Sequence, residues 1–178
     1  MKISVVVPAF NRVNFLATCL NSVLSQTQVA SEIIVVDDGS TDDTQKLLQT
    51  YSKNHPQIKT VFLKQNHGVS RARNEGIAVA KYNWVAFLDS DDVWHKDKLK
   101  HQIAFHKQNP NYLISQCQEI WIKEGAIMPQ PKWAHKQKGD IFLASLKHCL
   151  ISASSVLICK TIFRNIGLFD ESLIACED

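Results

Sequence analysis

Asp89 and Asp91 stand one residue apart in Asp89-Ser90-Asp91-Asp92, directly after the apolar run Trp84 to Leu88. Just past a strand end, that spacing lets both carboxylates turn toward one ligand. Carboxylate oxygens select hard cations such as Mg2+ or Mn2+. An ion held there would bridge phosphate oxygens and act as a Lewis acid for a nucleoside-diphosphate leaving group. The plainer alternative is a capped helix start, since aspartate is common at strand-to-helix turns. The company these residues keep favours the ligand site.

Three further polar clusters follow apolar runs: Asn11-Arg12, Asp37-Asp38 and Asn66-His67-Gly68. A carboxylate at Asp37 or Asp38 can accept hydrogen bonds from a ribose or a base N–H. Capping the next helix is the competing role, and Ser40 or Thr41 could serve it without them. Arg71 and Arg73 come soon after Gly68. Arg73 falls on an otherwise apolar helical stripe, so it pairs internally, with Glu75 or an aspartate, or reaches the polar rim. Guanidinium suits pyrophosphate through bidentate hydrogen bonds.

These clusters need elements to position them, and the chain alternates strand and helix patterns. Ile3 to Val7 is a short β-rich run of the kind buried on both faces of a sheet. Leu16, Cys19, Leu20, Val23 and Leu24 then mark one helical face. Ile33 to Val36, Ile58 to Leu63 and Trp84 to Leu88 read as the next strands. Between them Leu47, Leu48 and Tyr51 form one helical stripe, and Val69, Ala72, Arg73, Gly76, Ile77 and Ala80 another. Repeated βα units imply a parallel sheet with crossover helices. In such sheets ligands bind beyond the carboxyl ends of the strands, where all four clusters would meet.

The second half is less regular. Lys96 to Lys107 predicts a basic amphipathic helix with Leu99, Ile103 and His106 inward. Tyr112 to Ile122 predicts a longer strand, Glu124 to Gly139 a loop, Ile141 to Leu146 a helix and Ile151 to Ile158 a last strand. Lys96, Lys98, Lys100, His101 and Lys107, with Lys132, Lys136 and Lys138, read as solvated surface charge. Attraction to an acidic membrane surface is the alternative.

Composition narrows the class. At 178 residues, 45% apolar and 21% charged, the chain fits one soluble domain able to bury a core. A formal charge of +3 is too mild for a dedicated nucleic-acid binder. Five cysteines without a C-x-x-C pair argue against a disulfide framework and a structural zinc site, and suggest a reducing, cytosolic compartment. The start is too short an apolar run for a signal peptide, and no window reaches the ~18 apolar residues of a membrane span. The dinucleotide fingerprint, the P-loop, the G-x-S-x-G elbow and H-E-x-x-H are all absent from the sequence.

In order along the chain, Val5-Val6-Val7-Pro8-Ala9-Phe10-Asn11-Arg12, Ile34-Val35-Val36-Asp37-Asp38-Gly39-Ser40-Thr41-Asp42, Gly68-Val69-Ser70-Arg71-Ala72-Arg73-Asn74 and Phe87-Leu88-Asp89-Ser90-Asp91-Asp92 resemble the successive blocks of family 2 glycosyltransferases. Gly167-Leu168-Phe169-Asp170-Glu171, followed by Glu177-Asp178, resembles the block before that family's catalytic base. The resemblance implies an α/β GT-A fold, a Rossmann-like three-layer sandwich with a mainly parallel central sheet. It divides the single domain into a nucleotide-sugar-binding half, 1–95, and a partial acceptor-side half, 96–178, cut short at its end.

The roles implied are these. Pro8, Ala9, Phe10, Asn11 and Asp38 bind the nucleotide, most often uridine diphosphate linked. Gly68 and Arg73 lie near the base or diphosphate, and Asp89, Ser90 and Asp91 serve the ribose and a Mn2+ or Mg2+ ion. Asp178 is the general base for inverting transfer to an acceptor hydroxyl on a glycan, lipid-linked or protein acceptor. Peripheral membrane association and a place in polysaccharide, lipopolysaccharide or other glycan synthesis fit such enzymes. Two other readings compete: a non-catalytic nucleotide-sugar-binding module, and a nucleotidyltransferase. The latter usually opens with a Gly-rich basic loop, which Pro8-Ala9-Phe10-Asn11 is not.

Overall fold

The computed structural model describes residues 1–137 and 139–173. The first half runs β1 (Ile3–Ala9), α1 (Val13–Leu24), β2 (Glu32–Asp37), α2 (Thr44–Asn54), β3 (Ile58–Phe62), α3 (Val69–Val79) and β4 (Trp84–Phe87). The second adds α4 (Lys98–Gln108), β5 (Ile114–Gln116), a hairpin of β6 (Ile122–Lys123) and β7 (Ala126–Ile127), α5 (Phe142–Ser145), β8 (Val156–Cys159) and α6 (Thr161–Ile166). The main sheet has the order β3-β2-β1-β4-β8-β5. Its first four strands are parallel, and β8 runs antiparallel to both β4 and β5.

Alternation along β1 builds two cores. Val5 and Val7 face Leu16, Leu20, Leu48, Leu99 and Ile103, the inward sides of α1, α2 and α4. Val6 faces the opposite layer, with Ala72 and Ile77 of α3, Phe87, and the partly buried Phe163 and Phe169. Successive strand side chains point to opposite faces, so a strand with helices on both sides must be apolar throughout. All seven residues of β1 and all six of β2 are buried. Gly76 lets α3 lie directly on β1, because a Cβ there would stand 2.3 Å from Val6 Cγ1.

The mainly parallel three-layer sandwich expected from the βα repeats is present, and the second half departs from its pattern. The run 112–122 is two short strands, β5 and β6, separated by irregular chain. The expected loop 124–139 contains β7 and a single helical turn at Lys132–Ala134. The run 151–158 enters β8 through a tight turn, Ala153–Ser155. Alternation cannot reveal such breaks, because side chain-to-backbone bonds impose them.

Two lysines read as surface charge are buried. Lys98 lies over the Trp94 ring, 4.0 Å from its centroid, and donates to Gln102 Oε1 at 2.8 Å. Desolvation lowers its pKa to about 8. Lys136 pairs with Glu119 at 2.7 Å with its side chain 5% exposed. His106, correctly expected inward, bonds the Tyr112 carbonyl and the Ser115 hydroxyl.

Candidate active site

Each parallel strand delivers its cluster to the same sheet edge. Beyond β1 the chain reverses at Asn11, which adopts a left-handed φ of 53°. Its short amide tolerates that conformation and bonds locally. The Asn11 N–H donates to Ser40 Oγ at 2.9 Å, and its Oδ1 accepts from the Thr41 and Asp42 N–H groups at 2.8 and 3.3 Å. Asn11 therefore ties the first loop to the second.

The two aspartates ending β2 do different work. Asp37 Oδ2 accepts from the Ser40 N–H at 3.2 Å and from Gln45 Nε2 at 2.6 Å, which anchors the approach to α2. Asp38 is 3% exposed, and its oxygens accept from the His67 N–H at 2.9 and 3.1 Å and from the Gly68 N–H at 2.8 Å. Asp38 thus sets the turn that starts α3. Between these loops only glycine fits: Gly39 has φ +72°, and a Cβ there would stand 2.6 Å from the Gln65 carbonyl carbon.

One turn into α3, Arg73 is 2% exposed and donates through Nη2 to Asp89 Oδ1 at 2.9 Å. Its guanidinium also lies 5.4 Å from the centroid of Phe169. Arg71, in contrast, pairs with Glu75 and Glu171 away from the rim. Beyond β4 the chain folds tightly, with the Asp92 N–H donating to the Asp89 carbonyl at 2.9 Å. Asp91 Oδ2 faces Arg12 Nε at 3.5 Å.

The result is a cleft of about 400 Å3 lined by Pro8, Ala9, Phe10, Arg12, Asp38, Asn66, Gly68, Val69, Ala72, Arg73, Asp89, Ser90 and Asp91. Two arginines and three carboxylates share it. Negative charge concentrates in the loop after β4: desolvation, then the neighbouring Asp89 and Asp91 charges, push Asp92 above the usual carboxylate range, while Ser154 opposes the shift. Burial, then the charges of Asp92, Asp89 and Asp91, push up the Cys19 thiol behind the same loop. Cys19 is thus a protonated core residue, its Sγ 3.6 Å from the Asp89 carbonyl.

The donor set suits a hard cation that is shared with a substrate. Among the described residues no group of three His, Cys, Asp or Glu is arranged to hold an ion alone. Asp89 and Asp91 offer two carboxylates, and Mg2+-like ions are usually held by one or two carboxylates plus substrate phosphates.

The model for glycosyl transferase family 2 matches residues 4–167. This chain belongs to that family. Among its relatives, an uncharacterised glycosyltransferase of Rickettsia conorii is 37% identical over 177 residues, which are 99% of this chain and 29% of that protein. The putative teichuronic acid biosynthesis glycosyltransferase TuaG of Bacillus subtilis is 35% identical over 156 residues, 88% of this chain and 61% of TuaG. The fold matches the crystal structure of S. aureus TarS 1-349 in complex with UDP, with TM-score 0.80 at 26% identity, covering 99% of this chain and 52% of that one. The GT-A architecture expected of the family is therefore this chain's architecture, and the chain spans less than two thirds of the length of each of these three proteins.

Of the site residues named from sequence, Pro8, Ala9, Phe10, Asp38, Gly68, Arg73, Asp89, Ser90 and Asp91 converge on the cleft, while Asn11 is not among its lining residues. Asp178 lies outside the described residues. Arg12, Asn66, Val69 and Ala72, not named as site residues from the sequence, also line it. Arg12 sits in the first polar cluster, and Val69 and Ala72 precede Arg73 on its helix, so the signal was present.

Proposed function

We propose that this chain carries the donor site of a metal-assisted, inverting glycosyltransferase using a nucleotide-diphosphate sugar, with uridine diphosphate as the carrier. The observation that carries this reading is the convergence of Asp89, Asp91, Arg12 and Arg73 with the Pro8–Phe10 strand end on one cleft. TarS, at 26% identity, has been crystallised with UDP and with UDP-GlcNAc, which supports the same donor class here.

In this reading Pro8, Ala9 and Phe10 form the wall against the base. Asp38 has one carboxylate lone pair left for a base N–H after holding the β3–α3 turn. Asp89 and Asp91 would hold Mn2+ or Mg2+ with the diphosphate, and the ion would neutralise charge on the departing group. Arg12 and Arg73 orient these two carboxylates, and Arg12 is exposed enough to swing to a phosphate. The acceptor hydroxyl attacks the anomeric carbon in line as the bond to the diphosphate breaks. Its proton passes to Asp178, the proposed general base.

Residues 1–95 would form the donor half and 96–178 acceptor-side structure, in a cytoplasmic enzyme of glycan synthesis. Calorimetric titration of UDP with and without Mn2+, followed by incubation of the natural full-length protein with UDP-sugars, tests this. Metal-dependent UDP binding together with glycosylated product is expected. Binding without any transfer or hydrolysis would reduce the chain to a nucleotide-sugar-binding module.

A further inference from the structure

The Asp89–Asp92 loop is fixed from behind by a residue far away in sequence. Ser154 lies in the turn Ala153–Ser155 that feeds the antiparallel strand β8, and it is 8% exposed. Its hydroxyl oxygen accepts from the Asp89 N–H at 3.0 Å. Its main-chain carbonyl accepts from the Trp94 indole N–H at 2.8 Å. One residue thus holds the loop at both ends, on either side of Asp91.

The opposite layer completes the fixture. Ser22 on α1 accepts the Trp94 N–H at 3.1 Å through its hydroxyl, and the Cys19 Sγ approaches the Asp89 carbonyl at 3.6 Å. The Ser154 hydroxyl, in contrast, bonds directly to the backbone that aims Asp89.

We infer that Ser154 is a positioning residue for cation and diphosphate binding: its hydroxyl fixes the direction in which Asp89 and Asp91 present their carboxylates. The inference rests on the metal role proposed above for those two aspartates. Groups that orient metal ligands typically change metal affinity by about 10–100-fold when removed.

The test is UDP titration with and without Mn2+ on the full-length protein, comparing Ser154→Ala and Asp91→Asn with the natural sequence. Ser154→Ala should weaken Mn2+-dependent UDP binding about tenfold and leave metal-free UDP binding within about twofold. A Ser154→Ala protein that binds UDP with Mn2+ as the natural protein does overturns the inference. Equal losses with and without metal overturn it too, since that result marks a general packing defect. If Asp91→Asn itself keeps full Mn2+-dependent binding, the metal reading fails, and the role of Ser154 with it. Should the alanine variant not fold, Ser154→Cys, which keeps the shape but offers the Asp89 N–H only a weak sulfur acceptor, carries the same comparison.

Discussion

Arg73, on an otherwise apolar helical stripe, points its guanidinium at Asp89 across 2.9 Å, with the arginine side chain 3% and the aspartate 34% exposed. Phe169 lies beside the same guanidinium. A buried arginine needs a charged partner, and removing one member strands the other. The donor helix α3 and the carboxylate loop after β4 are therefore coupled through one ion pair.

Arg73→Met should lower unfolding stability by about 1–3 kcal/mol, the range for a charged hydrogen bond lost at a partly buried site. Asp89→Asn, which leaves the buried guanidinium without the Asp89 charge, should cost at least as much, and the double variant less than the two together. Urea denaturation at pH 7 measures all three. Strict additivity would mean that the two side chains do not interact.

Asp38→Ala removes the acceptor for two backbone N–H groups at the start of α3. Expected are a loss of roughly 1.5–3 kcal/mol and faster hydrogen exchange at His67 and Gly68. Unchanged exchange there would free Asp38 for a purely ligand-binding role.

Gly76→Ala places a methyl group against Val6 and should destabilise by about 1–3 kcal/mol. Adding Val6→Ala should remove part of that penalty, because it vacates the space the methyl requires. Thermal melts of both single variants and the double read this directly, and a double variant that loses as much as the two singles together would contradict it.

Glu32 predicts acid sensitivity. Burial raises its pKa, but the bonds from Lys59, Ser4 and the Lys81 N–H outweigh it, so the net value falls below the ordinary glutamate range. With the folded pKa depressed, its contribution is complete above the unfolded pKa and is lost as pH falls through the folded one. Glu32→Gln should therefore be less stable near neutrality, and the gap should close as the solution is acidified. A gap that is constant with pH would exclude the linkage.

Lys98 works in the opposite direction. Its folded pKa of about 8 lies below the ordinary 10.5, so the unfolded chain holds the proton more tightly. Stability should rise from about pH 8 to about 10.5, by on the order of 3 kcal/mol relative to a Lys98→Met variant. Parallel denaturation curves for the two proteins across that window would refute it.

Strand and helix order, the parallel first half and most of the cleft were legible in the sequence. Unbroken apolar strands force helices onto both faces, and a parallel sheet carries every βα loop to one edge. Asp89, Asp91 and Gly68 could be placed by that reasoning alone, and Pro8 to Phe10 through the family resemblance. What sequence spacing could not decide was which polar atom meets which. Asn11 bonds the second loop, Asp38 holds a turn, and Lys98 lies over Trp94, because such partners are chosen by packing between segments distant along the chain. Ser154 shows this most clearly. Nothing near it in the sequence marks its importance, and only the antiparallel return of β8 beside β4 brings its hydroxyl to the backbone of Asp89.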